Sequence, residues 1–106
     1  MLFRSEAVGF IARLNHRAIG FTICYPTFST VAVAPIWLLN DLFVDDNYRG
    51  QGIASKLMQT AETAARDAGA ARIWLRTAED NTTAQRLYES RGWKQDTVFR
   101  RYDLVF

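Results

Sequence analysis

The stretch Leu39-Asn40-Asp41-Leu42-Phe43-Val44-Asp45-Asp46-Asn47-Tyr48-Arg49-Gly50-Gln51-Gly52-Ile53-Ala54 decides how this chain is read. Its first part continues Ile36-Trp37-Leu38, the most apolar run of the sequence, as expected of a central strand covered on both faces. After Gly52 the period changes. Ile53, Leu57, Met58, Ala61, Ala64, Ala65 and Ala68 recur at helical spacing on one stripe, leaving Lys56, Glu62, Arg66 and Asp67 for solvent. Gly69 stands where a left-handed cap closes such a helix. A buried strand thus turns through two glycines into an amphipathic helix. Glycines there let a ligand come close to the main chain, and the first N–H groups of a helix have no intrahelical partner. Together with the helix dipole they favour a phosphate or pyrophosphate, and Arg49 adds a positive charge at the rim.

On the N-terminal side, Ala7 to Ala12 and Ala18 to Tyr25 are β-rich and flank Asn15-His16-Arg17, which predicts a hairpin. Tyr25-Pro26-Thr27-Phe28-Ser29-Thr30 carries proline and hydroxyls and predicts a break before Ile36. On the C-terminal side, Arg72 to Thr77 is a second central strand. Thr82 with Gln85 has capping-box spacing for a short helix that Gly92 ends. Trp93 to Phe106 mixes aromatic and β-branched residues and predicts a final strand or hairpin pair. The order is strand, strand, strand, helix, strand, helix, strand, an α/β or α+β layered domain with a mixed sheet.

Composition sets the class. The 106 residues are 49% apolar and 23% charged, which fits a single folded domain over 1–106 and excludes a disordered chain. The apolar stretch from Phe28 to Leu39 is interrupted and too short to span a bilayer, and the first residues lack the pattern of a secretion signal, so a cytoplasmic protein is expected. A net charge of +2 argues against nucleic acid as a partner. The single cysteine, Cys24, forms no internal disulfide and no zinc site, and reads as a small packing residue, so no metal is expected.

Neither nucleotide template fits the glycine turn. The Gly-x-x-x-x-Gly-Lys-Ser/Thr pattern is absent, and the dinucleotide fingerprint fails because Ser55 stands at its third small position and Ile73 where its acidic residue belongs. Arg49-x-x-Gly52-x-Ala54 instead resembles the Arg/Gln-x-x-Gly-x-Gly/Ala signature of the GNAT superfamily of acetyl-CoA-dependent N-acetyltransferases. Asn81-x-x-Ala84-x-x-Leu87-Tyr88-x-x-x-Gly92-Trp93 is similar to that superfamily's late signature, in the right order along the chain. Leu39 to Val44 resembles its polyamine and fungal histone/polyamine acetyltransferase branch. The fold this implies is a mixed, mostly antiparallel sheet with two central, splayed parallel strands and flanking helices.

The resemblance also implies roles. Main-chain N–H groups of Arg49, Gly50, Gln51, Gly52, Ile53 and Ala54 would bind the pyrophosphate of acetyl-CoA, and the main chain of Leu42, Phe43 and Val44 its pantetheine arm. The N–H of Leu42 or Phe43 would polarise the thioester carbonyl. Tyr88 would be the general acid, since a phenol can protonate a leaving thiolate; core packing is its other reading. Asn81 is a helix N-cap, a cofactor contact, or both. On the acceptor side, Asn40 and Asp41 interrupt an apolar strand, and a buried carboxylate needs a reason. Asp41 is the candidate to bind a cationic amine or orient a water. Where mammalian-type polyamine enzymes carry an acidic pair, Asn40 is an amide. Glu79 is a second acceptor-side acid. Together these acids favour a polyamine, a lysine side chain or another cationic amine.

The expected function is N-acetylation of a primary amine by direct attack in a ternary complex; the alternative is a catalytically silent acyl-CoA-binding or regulatory module. A homodimer is expected, with Val98 to Phe106 as the pairing strand. Barely six residues precede the first strand, so the strand and two helices with which the family's domain begins are expected to be missing. A truncated product, a second subunit completing the acceptor pocket and an open acceptor groove are the alternatives that follow.

Overall fold

The computed structural model describes residues 6–106. Strands β1 (Val8–Leu14), β2 (Arg17–Ser29), β3 (Ala34–Val44) and β4 (Arg72–Trp74) form one sheet in the order β1-β2-β3-β4. Helix α1 (Ile53–Asp67) links β3 to β4, and α2 (Thr82–Ser90) follows. The first three strands are antiparallel, while β4 runs parallel to β3. The chain divides into two compact units, one reaching to Arg76 and one from Thr77 to Phe106.

The expected hairpin closes at Asn15-His16, both with positive φ (50° and 67°), the two-residue turn whose twist matches paired strands. Between β2 and β3 the structure departs from expectation. Pro26 does not break β2, which pairs without interruption to Ser29 opposite Ala34. Pairing with β1 ends at Cys24, so β2 is an edge at Pro26 and the missing N–H costs no ladder bond there.

The core lies between α1 and one face of the sheet. Leu57, Met58, Ala61 and Ala65 of α1 are buried, as are Cys24 of β2 and Trp37, Leu39 and Val44 of β3. The expected apolar stripe thus holds as far as Ala65, whereas Ala68 is exposed. Gly69 (φ 78°) takes the predicted cap: its N–H donates to the Arg66 carbonyl and the Ala70 N–H to that of Ala65, the paired bonds of a Schellman motif. At Gly20 the strands come together so tightly that a Cβ would lie 2.8 Å from the Phe43 carbonyl oxygen.

Two expected strands differ. The segment from Arg72 is a strand only to Trp74, and it stands at the sheet edge rather than between two neighbours. Residues 93–106 form no regular strand. They leave Val98, Phe99, Tyr102, Leu104, Val105 and Phe106 each at least 75% exposed, and such a segment gains strand hydrogen bonds only from a neighbour.

Candidate active site

A bulge in β3 sets the geometry. Ile23 pairs with Asp41 and Cys24 with Leu39, so Asn40 is an extra residue with no partner in β2. Had the alternation of Trp37 and Leu39 continued, Asp41 would point into the core. The extra residue shifts the phase, so Asp41 is exposed and Val44 is buried. Asn40 and Asp41 were expected to interrupt a buried strand; both lie at the surface, because the bulge removes the carboxylate from the core rather than leaving it there to be neutralised. The Asn40 side-chain amide donates to Asp41 Oδ2 at 3.0 Å.

The same shift chooses which main-chain groups reach the strand's far edge. The Asp45 N–H donates to the Ile19 carbonyl at 2.7 Å, and the buried Thr22 hydroxyl donates to the Asp41 carbonyl at 2.8 Å. Asp41 and Asp45 therefore face β2, Phe43 between them does too by alternation, and Leu42 and Val44 turn to the other edge. The ladder with β4 ends on that side at Leu38 opposite Trp74. From Leu39 onward β3 thus has no strand partner there among the described residues. Phe43 was expected among the main-chain groups on this edge and is not one of them; its exposed ring packs against Phe21 with centroids 5.6 Å apart.

Beyond β3 the chain makes one 3-10 turn (Asp46–Tyr48), started by the Asp45 carboxylate, which accepts from the Asn47 N–H at 3.0 Å. Gly50 (φ 75°) and Gly52 (φ 80°) follow in the left-handed region, and a Cβ on either would meet nothing within 4 Å. Glycine is needed here for the backbone conformation, and the space beside it is open. Helix α1 starts with no side-chain cap on Gly52, and the Lys56 N–H donates to the Gly52 carbonyl at 3.1 Å. The amides of Ile53 and Ala54 come before that bond, as an anion site at a helix start requires. Arg49 points back along the chain: its Nε donates to the Val44 carbonyl at 3.1 Å, and its Nη2 lies 3.0 Å from Asp46 Oδ1.

In the second unit, the side chain of Asn81 caps α2 by accepting from the Ala84 N–H at 3.3 Å. The N-cap reading of Asn81 thus holds, while Thr82, which the capping-box spacing would make the cap, is the first helical residue, and Gln85 donates through Nε2 to the carbonyls of Ala78 and Glu79. At the other end Gly92 (φ 88°) closes a second Schellman motif: its N–H donates to Glu89 and the Trp93 N–H to Tyr88. The Tyr88 and Trp93 rings make the apolar contact that accompanies it, at 6.3 Å. Glu79 is exposed and Tyr88 half-buried.

Residues 2–93 match the model of the acetyltransferase (GNAT) family. The chain belongs to that family. It is 42% identical over 99 residues to the uncharacterized N-acetyltransferase YhfO of Bacillus subtilis, covering 93% of this chain and 66% of that protein. It is 34% identical over 74 residues to thialysine N-epsilon-acetyltransferase of Bos taurus, covering 70% of this chain and 43% of that protein. A crystal structure of a probable acetyltransferase superposes with a TM-score of 0.89 at 37% identity, over 95% of this chain and 68% of that one. This GNAT chain therefore spans just under two thirds of the first relative and less than half of the second.

The first unit of the GNAT chain gathers Asn40, Asp41, Leu42, Val44 and the 49–54 loop on one strand–turn–helix segment, while Glu79, Asn81 and Tyr88 belong to the second. Sequence reading missed the Thr22 hydroxyl and the Arg49–Val44 bond. Thr22 reads as an ordinary strand residue, and a side-chain bond to a carbonyl has no spacing signature. Cys24 is fully buried and its thiol is pushed up by desolvation, against a smaller lowering effect of its hydrogen bond with Thr22, which agrees with a packing role.

Proposed function

We propose that this chain is an acetyl-CoA-dependent N-acetyltransferase acting on a primary amine. The observation that carries this reading is the bulged end of β3 running directly into the two-glycine turn: the main chain of Leu42 and Val44 faces the edge away from β2, and helix-start amides follow within a few residues. The fit to acetyl-CoA is chemical. Amides at Gly50–Ala54 suit a pyrophosphate, and the N–H and C=O groups of Leu42 with the N–H of Val44 suit the amides of a pantetheine arm, the Val44 C=O being taken by Arg49.

Acetyl-CoA supplies an activated thioester. The neutral amine adds to the carbonyl carbon, whose oxygen gains charge; the Leu42 N–H is the donor assigned to that oxygen. A C–N bond forms, the C–S bond breaks, and the Tyr88 phenol gives its proton to the departing thiolate; the acylated nitrogen sheds its surplus proton to water, from which the Tyr88 phenolate is reprotonated. An alkylammonium acceptor first loses a proton to water or to a carboxylate. Asp41, exposed and adjacent to Leu42, is the group that attracts the cationic amine, with Asn40 holding one carboxylate oxygen. Glu79 is the second acid. The resemblance of Leu39–Val44 to the polyamine branch, together with the similarity to a thialysine N-epsilon-acetyltransferase, supports a polyamine or another side-chain-type amine.

The proposed protein is cytoplasmic and works as a homodimer through residues 98–106. Among the described residues no helix is long and apolar enough to cross a membrane. Free-thiol release from acetyl-CoA, measured with a panel of polyamines, lysine and thialysine, tests the function. Acceptor-dependent release of one thiol per acetylated amine is expected. CoA binding without release for any amine would establish the silent acyl-CoA-binding module instead.

A further inference from the structure

We propose that Arg49 is a positioning residue that serves the anion loop through its Nε–H bond to Val44, and that its positive charge is dispensable for cofactor binding. The assignment starts from where the guanidinium is. Nε donates at 3.1 Å to a carbonyl on the edge of β3 that has no strand partner among the described residues once the β4 ladder ends, and Nη2 meets Asp46 Oδ1 at 3.0 Å. That carboxylate, 82% exposed, places a negative charge beside the guanidinium and offsets part of the positive field a phosphate would meet. An exposed pair of this kind adds little stability, typically below about 1 kcal/mol. The bond to Val44 differs, because Val44 is buried and the bond spans the turn. It ties the residue preceding Gly50 to the last residue of β3, so that two left-handed glycines with open space beside them are held from one side. The cofactor edge at Val44 and the anion loop are fixed relative to each other by this bond.

Substitution chemistry separates donor from charge. The Nε2 of glutamine lies the same number of bonds from Cα as the Nε of arginine, so Arg49→Gln keeps the donor in place and removes the charge. Arg49→Lys keeps the charge but puts a methylene where the donor was. Arg49→Met keeps neither. The inference rests on the acetyl-CoA reading for one readout, CoA affinity by calorimetry, and is independent of it for the other, amide hydrogen exchange at residues 50–54.

The expected pattern is CoA affinity in Arg49→Gln within about threefold of the parent and about tenfold weaker in Arg49→Lys and Arg49→Met, the scale of one hydrogen bond. Exchange at 50–54 should quicken in Arg49→Lys and Arg49→Met, and Arg49→Gln should restore the parent rate. Lysine matching the parent while glutamine fails would assign the role to charge and overturn the proposal; so would parental behaviour in all three variants. Should the parent itself not bind CoA, the acetyl-CoA reading falls, and the exchange pattern alone decides for or against the strap.

Discussion

Tyr88 illustrates how one residue can carry two demands. It is the third residue from the end of α2, where its carbonyl accepts from Trp93 and its ring packs on Trp93, so the late signature's Tyr-x-x-x-Gly-Trp spacing is already accounted for by helix capping. Phenylalanine keeps the ring and the carbonyl and loses only the hydroxyl. Tyr88→Phe is therefore expected to leave the melting temperature and CoA affinity near the parent's while lowering kcat by about a hundredfold, the lower range for one general acid. An unchanged kcat would reduce Tyr88 to the cap. Cys24 gives a residue-scale prediction in pH. Its thiol titrates in the folded chain above the ordinary cysteine value, because burial disfavours the thiolate. Below that value both states hold the proton and stability is unaffected; above it the unfolded chain loses the proton first, and stability falls as pH rises toward the folded value. Melting temperatures between pH 8 and 10.5 should decline less steeply in Cys24→Ala than in the parent.

At the scale of elements, the decisive unit is β3 with its extra residue. Apolar periodicity located the strand and its continuation into α1, but a bulge does not change composition, so the phase shift at Asn40 was not legible and Asp41 was expected in the core. The glycine turn was legible because φ near +80° excludes most side chains, a local constraint written in residue type. Gly20 depends on packing from elsewhere: its space is limited by the Phe43 carbonyl and by Leu57 of α1. Gly20→Ala should force β2 and β3 apart, costing on the order of 1–3 kcal/mol as overpacking does. The expected result is a lowered melting temperature with weakened CoA binding, because the displaced strand is the one that leads to the 49–54 loop; parental stability would show that the sheet yields freely there.

At the scale of the whole molecule, the apolar segment from Val98 to Phe106 has no strand partner among the described residues, and among them β4 ends the sheet. An exposed strand-forming segment and an unpaired edge invite pairing between copies. In sedimentation equilibrium the chain should behave as twice its 12.1 kDa, and Leu104→Asp should return it to the monomer. A monomeric parent chain would refute the dimer.

The sequence by itself determined the order of elements as far as α2, the two helix ends at Gly69 and Gly92, the two-glycine turn and the family. Each of these rests on local rules: periodicity, capping and left-handed φ depend on residues close together in the chain. Tertiary structure alone decided that Asp41 faces solvent, that Leu42 and Val44 rather than Phe43 present their main chain on the free edge, and that Arg49 reaches back to Val44. Those outcomes depend on how one strand registers against another, and a single unpaired residue, Asn40, reverses them without leaving a mark on the hydrophobic pattern.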